Sequence, residues 1–355
     1  MNDSEATGAP RPPADPRPVI GLMPGDPTGI GPEVTAKLLA SGRAQAAARV
    51  LVIGDARVLT LGMADAGVSF AWHRVDRVPA GAWPGHSVPV LDLGNLDPST
   101  LQRGRLSADC GRLAGATLER MIRLAQAGEL DGICFAPLSK LALKLGGWDY
   151  LDEHVMFADL TGHRSFYCEM NVIPQFATFR VTSHMALKKA LEMISAERIE
   201  GAVRLARATL QAMGKAQPRL GVAALNPHGG EGGLFGDEEI TLIGPTLERL
   251  RADGIGCEGP VPADTLFVKA LAGRYDGVVM MYHDQGQIAT KLIGFREGVT
   301  VTAGLPTVFS TPAHGTAYDI VRQGKADPGA MTRAFEIAAS LAAQRSAAAR
   351  VPAAS

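Results

Sequence analysis

Short apolar runs that break into glycine-rich or polar loops, each followed by helical spacing, constrain this chain more than any other feature. Pro18-Val-Ile-Gly-Leu-Met23 is the first such run. It breaks into Pro24-Gly-Asp-Pro-Thr-Gly-Ile-Gly31, and Pro32 then suits the first position of a helix over 32–39. Val50-Leu-Val-Ile53, Val88-Pro-Val-Leu91 and Gly132-Ile-Cys-Phe-Ala-Pro137 repeat the strand pattern, and Leu113, Ala116, Leu118, Met121 and Leu124 mark a helix over 107–127. The second half continues it. Strands are predicted over 175–181, 220–225, 277–282 and 299–302, with helices over 196–213 (Ser195 as N-cap), 238–252 and 328–348. Strands alternating with helices predict an α/β fold with a mostly parallel sheet.

A chain of 355 residues is one large domain or two ordinary ones. The expected division is a first α/β domain over 18–150, joined by part of 300–345, and a second over 151–300 that carries most of the candidate ligands. Residues 1–17 read as a flexible tail, and the Ala-rich end, 346–355, as a tail or a frayed helix. No linker separates the halves, so they are expected to share a cleft. A net charge of −1 offers no basic patch for nucleic acid or a membrane surface. No apolar run approaches the roughly 18–20 residues that span a bilayer. Cys110, Cys134, Cys168 and Cys257 form no CxxC pair and read as reduced thiols of a cytoplasmic protein.

In open α/β sheets, ligands bind outside the carboxyl ends of strands. Histidines follow three predicted strand ends: His184 after 175–181, His228 after 220–225 and His283 after 277–282. Imidazoles suit several divalent metals. Separations of 44 and 55 residues are no local motif, and on spacing alone three unrelated capping or core histidines explain them as well. The neighbours sharpen the metal reading. Gly229, Gly230, Glu231, Gly232 and Gly233 follow His228, and small side chains let a ligand lie against the backbone. His283-Asp284-Gln285-Gly286 is similar, with Lys291 eight residues beyond His283. A metal, an acid and a lysine suit oxidation of an alcohol near a carboxylate: the metal lowers the hydroxyl pKa, and the lysine holds the carboxylate or protonates an enolate. The loop 25–33 opens a helix N-terminus. It reads equally as an anion cradle or as a tight βα turn.

Pro312-Ala-His-Gly-Thr-Ala-Tyr-Asp-Ile320 with Gly324-Lys-Ala-Asp-Pro328 resembles the adenosine-binding loop of isocitrate and isopropylmalate dehydrogenases, which bind nicotinamide cofactors without GxGxxG. With Gly25-Asp-Pro-Thr-Gly-Ile-Gly-Pro-Glu33, Ala136-Pro-Leu-Ser-Lys140, Asn226-Pro-His-Gly-Gly-Glu-Gly-Gly233, Gly259-Pro-Val-Pro-Ala-Asp-Thr-Leu-Phe267, Tyr282-His-Asp-Gln-Gly286 and His314-Gly-Thr-Ala317, the chain resembles the 4-hydroxythreonine-4-phosphate dehydrogenase family from about Ile20 to Ala330. The resemblance implies two α/β/α domains with mostly parallel sheets, an active site in the interdomain cleft, and a homodimer that shares that site across subunits. It implies one divalent metal (zinc, magnesium, cobalt, manganese or nickel) on His184, His228 and His283. Catalytic roles fall to Asp264, Asp284 and Lys291, and substrate contacts to His154 and Lys291. NAD or NADP would lie on His314, Gly315, Thr316, Ala317, Asp319 and Asp327. The implied reaction oxidises the hydroxyl β to a carboxylate, and the keto acid then loses carbon dioxide.

Three substrate-facing positions depart from that family. Val155 stands where it has threonine, Thr300 where it has asparagine and Phe309 where it has arginine. Valine and phenylalanine cannot donate to an anion, and losing an arginine removes a bidentate contact. The default substrate, 4-phosphohydroxy-L-threonine of vitamin B6 biosynthesis, therefore stands beside another hydroxy acid: a 4-phosphorylated sugar acid or an aromatic cis-dihydrodiol carboxylate. Phe309 is expected to favour the flatter, less anionic of these. A non-catalytic binding protein, or an acyl transferase of similar shape that uses no metal, would leave the three histidines unexplained.

Overall fold

The computed structural model describes residues 15–79, 83, 86–294 and 297–350. Most of the expected N-terminal tail and residues 351–355 lie outside it. The last helix, Gly329–Arg350, runs through the positions where a C-terminal tail was expected to begin.

Among the described residues, twelve strands build one sheet. They are β1 (Val19–Met23), β2 (Arg49–Gly54), β3 (Trp72–Val75), β4 (Val88–Asp92), β5 (Gly132–Phe135), β6 (Cys168–Val172), β7 (Ala177–Arg180), β8 (Leu220–Ala223), β9 (Cys257–Val261), β10 (Gly277–Met280), β11 (Val299–Ala303) and β12 (Val308–Pro312). Their order across the sheet is β3-β4-β2-β1-β5-β12-β11-β6-β7-β10-β8-β9. Pairing is parallel from β3 to β12 and again from β7 to β9, and antiparallel only at β12-β11, β11-β6 and β6-β7. The mostly parallel α/β reading holds, with both halves of the chain in one shared sheet.

Period-2 alternation sends successive side chains to opposite faces. On one face the apolar core is continuous. Ile20, Leu22, Val50 and Val52 from one end join Met170, Phe179, Val222, Val279, Val299 and Val301 from the other, under helices such as Ala196–Ala212 and Gly329–Arg350. On the opposite face the core is split. One cluster (Leu51, Ile53, Ile133, Phe135) packs under helices Ala108–Gln126 and Glu153–Leu160. Another (Val278, Met280, Ala223) packs under helices Ala263–Leu271 and His283–Gly294. Between them, β11, β6 and β7 turn polar residues to this face.

Close backbone approach fixes two glycines near strand ends. A Cβ at Gly25, whose φ is +79°, would stand 2.7 Å from the Ala136 carbonyl carbon and oxygen, so the loops after β1 and β5 touch at that point. A Cβ at Gly31 would stand 2.3 Å from the Pro24 carbonyl oxygen. The loop between them is buried. Asp26 accepts from Thr28 Oγ1 at 2.7 Å and from Tyr318 Oη at 2.8 Å. Of the two readings of 25–33, the structure supports the tight turn. The helix predicted over 238–252 opens as a π turn, Glu239–Ile243, before Pro245 starts regular α-helix at Gly244–Ala252. Cys110, Cys134 and Cys168 are buried free thiols, and burial pushes Cys134 up to about 12. Among the described residues no helix is long and apolar enough to cross a membrane.

Candidate active site

The polar patch on β11, β6 and β7 is the floor of the site. Register places Thr300 beside Asn171, Thr302 beside Glu169 and Asn171 beside Thr178. Arg180, with no exposed side-chain surface, sits at the centre. It donates to Glu169 Oε2 at 2.7 Å, to Gln287 Oε1 of helix His283–Gly294 at 2.5 Å and to Asn171 Oδ1. Asn171 donates onward to Thr300 Oγ1 at 2.9 Å and to Glu169 Oε1 at 3.0 Å. A buried charge survives only when paired and hydrogen-bonded, and here both ions are. Burial pushes the Glu169 carboxyl up. The charge of Arg180, with His154 and His184 beside it, outweighs burial and brings it to about 2.

Three histidine rings stand over this floor. His154, on helix Glu153–Leu160, holds Thr302 Oγ1 through Nδ1 at 2.6 Å and places Nε2 3.7 Å from Glu169. His184 follows β7, its Nδ1 2.5 Å from Asp152 Oδ2 and its Nε2 3.4 Å from Glu169 Oε2. His283 opens the helix after β10, with Nδ1 2.6 Å from Asp284 Oδ1. The His184 and His283 rings are 5.2 Å apart and those of His154 and His184 6.3 Å apart. Backbone pairing past the strand ends holds them there: Val181 N–H donates to Met280 O, and Thr182 Oγ1 to Met281 O at 2.8 Å. Burial pushes the Asp152 carboxyl up, but the hydrogen bond from His184 and the charge of His154 hold it well below the usual carboxylate range. Burial pushes His283 down, partly offset by its bond to Asp284.

An open pocket of about 490 Å³ lies against this cluster, lined by Asp152, His154, Val155, Glu169, Arg180 and His184, with Arg164 and Arg198 also on its wall. Val155 does face a cavity. Thr300 is buried in the floor, bonded to Asn171. Phe309 is corrected: it has no exposed surface and stacks on Phe157 at 4.2 Å within the core, so it offers nothing to a substrate and cannot favour a flat one.

The parallel order β7-β10-β8-β9 puts the other predicted residues along one edge of the sheet. The carboxyl ends of these strands form that edge, from which His184, His283, His228 and Asp264 follow in turn. Gln285 ties two of these ends together, accepting from Met281 N at 2.8 Å and donating to Ala224 O at 2.6 Å. His228 itself is exposed, 3.6 Å from Glu231 and edge-on to Phe235 at 6.0 Å. It lies in a left-handed turn, φ +53° at His228 and +43° at Glu231, a costly conformation for side-chain-bearing residues that the flanking glycines share. Asp264 and Asp284 are exposed, and so is Lys291, about 12 Å along its helix from His283. Among the described residues no three His, Cys, Asp or Glu converge as a metal cage. The donor chemistry nevertheless fits a divalent cation at His184 and His283. In each ring a carboxylate engages Nδ1, the arrangement that leaves Nε2 as the ligand atom.

The loop 314–327 stands at the carboxyl end of β12. Its underside is anchored: Thr316 O accepts from Ile30 N at 3.0 Å, Tyr318 reaches Asp26, and Glu33 accepts from Ala326 N at 2.9 Å. His314, Gly315 and Asp319 lie on the more open side, and His314 Nδ1 is 3.1 Å from Gly315 O. Ala317 takes φ +43°. Asp327 accepts from Gly329 N at 2.8 Å at the start of the last helix, so part of its carboxylate is spent there. Asp152, Glu169, Asn171, Arg180 and Gln287 were not foreseen from sequence.

A mostly parallel α/β sheet with a histidine–carboxylate cluster at its strand ends defines the class: a small-molecule enzyme rather than a scaffold. Residues 46–338 match the family described as pyridoxal phosphate biosynthetic protein PdxA, and the chain belongs to that family of dehydrogenases. It is 42% identical over 333 residues to a putative 4-hydroxythreonine-4-phosphate dehydrogenase 2 of Pseudomonas aeruginosa, covering 90% of this chain and 96% of that one. It is 41% identical to a D-threonate 4-phosphate dehydrogenase of Cupriavidus necator, covering 92% and 98%. The crystal structure of 4-hydroxythreonine-4-phosphate dehydrogenase from Klebsiella pneumoniae superposes with a TM-score of 0.80 at 38% identity, covering 93% of this chain and 99% of that one.

Proposed function

We propose that this chain oxidises the hydroxyl β to the carboxylate of a 4-phosphorylated four-carbon hydroxy acid, with NAD or NADP as acceptor, and that decarboxylation follows. The observation that carries the reading is the facing pair His184 and His283, each with a carboxylate on Nδ1, above the charged floor. These two histidines would hold a divalent cation, with His228 as third ligand. When bound, the cation lowers the pKa of the reacting hydroxyl, and the nicotinamide takes the hydride. His154, braced by Thr302, lines the pocket and would offer Nε2 to a substrate oxygen. Arg164 and Arg198 on the pocket wall suit the anionic end. Loop 314–320 would carry the dinucleotide.

Between the two substrates named for relatives, the site favours D-threonate 4-phosphate. That acid carries a hydroxyl at C2 where phosphohydroxythreonine carries an ammonium. An ammonium needs a carboxylate, and the two buried ones beside the histidines are taken. Asp152 accepts from Val155 N and His184, and Glu169 from Arg180 and Asn171. Relatives of D-threonate 4-phosphate dehydrogenase name span 37–41% identity. NADH or NADPH formation with each substrate tests the choice. Faster turnover of D-threonate 4-phosphate is expected. Preference for 4-phosphohydroxy-L-threonine would restore the vitamin B6 substrate, and turnover of neither would sink the reading.

The proposed active unit is a homodimer. Ile288 and Leu292 on helix His283–Gly294, Val268 and Leu271 on helix Ala263–Leu271, and Leu234, Phe235 and Ile240 nearby are exposed on adjoining elements. Exposed apolar surface of that kind marks an interface. Lys291, outside its own chain's pocket lining, shares that helix and would serve the partner's site.

A further inference from the structure

We propose that Asp152 is a positioning residue that sets the tautomer of His184, and that its two oxygens cannot be replaced by an amide without breaking this. The inference rests on the reading of His184 as a metal ligand.

Asp152 is the N-cap of helix Glu153–Leu160, and Oδ1 accepts from the Val155 N–H at 2.9 Å. Oδ2 faces His184 Nδ1 at 2.5 Å. One carboxylate thus accepts twice, from a backbone donor and from a ring donor. An ionised carboxylate only accepts, so the neutral ring must carry its proton on Nδ1. Nε2 is left with the lone pair a cation requires. The proton position follows from its partner rather than from an observed hydrogen. The helix cap fixes the carboxylate, and the carboxylate fixes the ring. Residues 152 and 184, on separate elements, are therefore one unit.

Asparagine at 152 separates the two duties. It is as good an N-cap as aspartate. Capping keeps its oxygen on Val155 N, which turns the amide N–H toward His184 Nδ1. A donor there forces Nδ1 to accept and moves the ring proton to Nε2. Glu169 Oε2, 3.4 Å from Nε2, stabilises that tautomer. The ligand lone pair is then lost although ring, helix and pocket keep their places. The logic matches the Asp-to-Asn change in a Ser-His-Asp triad, where geometry stays intact and the wrong tautomer results.

The test uses the full-length metal-free protein at pH 8 and zinc ion alone. Long-range proton–nitrogen correlation spectra, assigned by loss of the His184 signals in His184→Gln, report the tautomer. Calorimetry reports zinc affinity. Wild type is expected to carry the Nδ1–H tautomer, and Asp152→Asn the Nε2–H tautomer with zinc affinity lowered about 10- to 100-fold. Asp152→Ser keeps a cap but removes the ring's partner, so its loss should be smaller than that of Asp152→Asn. A wild-type ring protonated at Nε2, or equal zinc affinity in wild type and Asp152→Asn, would overturn the proposal. Should Asp152→Asn fail to fold, the wild-type tautomer and Asp152→Ser decide it: undiminished zinc binding in Asp152→Ser overturns it. Wild type that binds no zinc overturns the metal reading instead, a separate outcome.

Discussion

At the scale of single residues, the floor of the site is held by one buried ion pair. Arg180 has no exposed side-chain surface, its Nε has no acceptor among the described residues, and Glu169 is nearly as buried. Removing one partner leaves an uncompensated charge, at a cost of about 3–5 kcal/mol, whereas replacing both by apolar groups is often nearly neutral. Arg180→Met is therefore expected to lose about 3 kcal/mol in urea unfolding, and Arg180→Met with Glu169→Met to recover most of it. A single substitution that leaves the midpoint unchanged would contradict this. His228 and His283 stood out in the sequence because glycines and acids crowd beside them, and His184 because it follows a predicted strand end. The acid–base pair did not. Glu169 and Asn171 alternate with Cys168, Met170 and Val172, a pattern that reads as one face in water. Here that face is buried because the polar residues satisfy one another across three strands. Phe309 misled for the converse reason: aligned position does not say which way a strand side chain points.

At the scale of elements, apolar runs such as 18–23, 50–53, 132–137 and 277–282 announced their strands, since parallel strands covered on both faces are apolar throughout. The strands that escaped carry polar residues or proline: β3 with His73 and Arg74, β6 with Glu169 and Asn171, β9 with Glu258 and Pro260, β12 with Ser310, Thr311 and Pro312. Their place is set by neighbours that only the fold supplies. Charge also pins element starts. Asp276, just before β10, accepts from Arg219 N at 2.9 Å and Arg219 Nε at 3.1 Å, with Lys215 Nζ at 3.3 Å. Burial pushes its carboxyl up, but these donors win and bring it to about 2 from 3.8. A depressed folded-state pKa gives stability that is present above the unfolded value and lost as pH falls through the folded one. With Arg219 and Lys215 largely exposed, the contribution is about 1 kcal/mol. Asp276→Asn should thus melt below wild type at pH 7, and the gap should close between pH 5 and pH 2. A gap independent of pH would show that packing, not charge, is involved.

At the scale of the whole molecule, one face of the twelve-stranded sheet has a continuous apolar core, and the other is interrupted where its strands turn antiparallel. That interruption is where the histidines gather. The alternation of strand and helix foretold the α/β class. The meeting of His184 and His283 was not readable from spacing, because it depends on β7, β10 and β8 lying side by side. The exposed apolar residues belong to the same scale. Leu292→Glu, on a surface 83% exposed in the single chain, should convert a dimer to monomers in sedimentation velocity and sharply lower turnover. A dimer that persists with full activity would place the interface elsewhere.

The reading of this interruption as a metal-dependent site is tested most directly by calorimetric titration of zinc ion into the metal-stripped protein, wild type beside His184→Ala and His283→Ala. One tight site per chain in wild type, lost in both variants while their unfolding midpoints stay close to wild type, is the predicted result. Binding that survives both substitutions, or no binding by wild type, would contradict it.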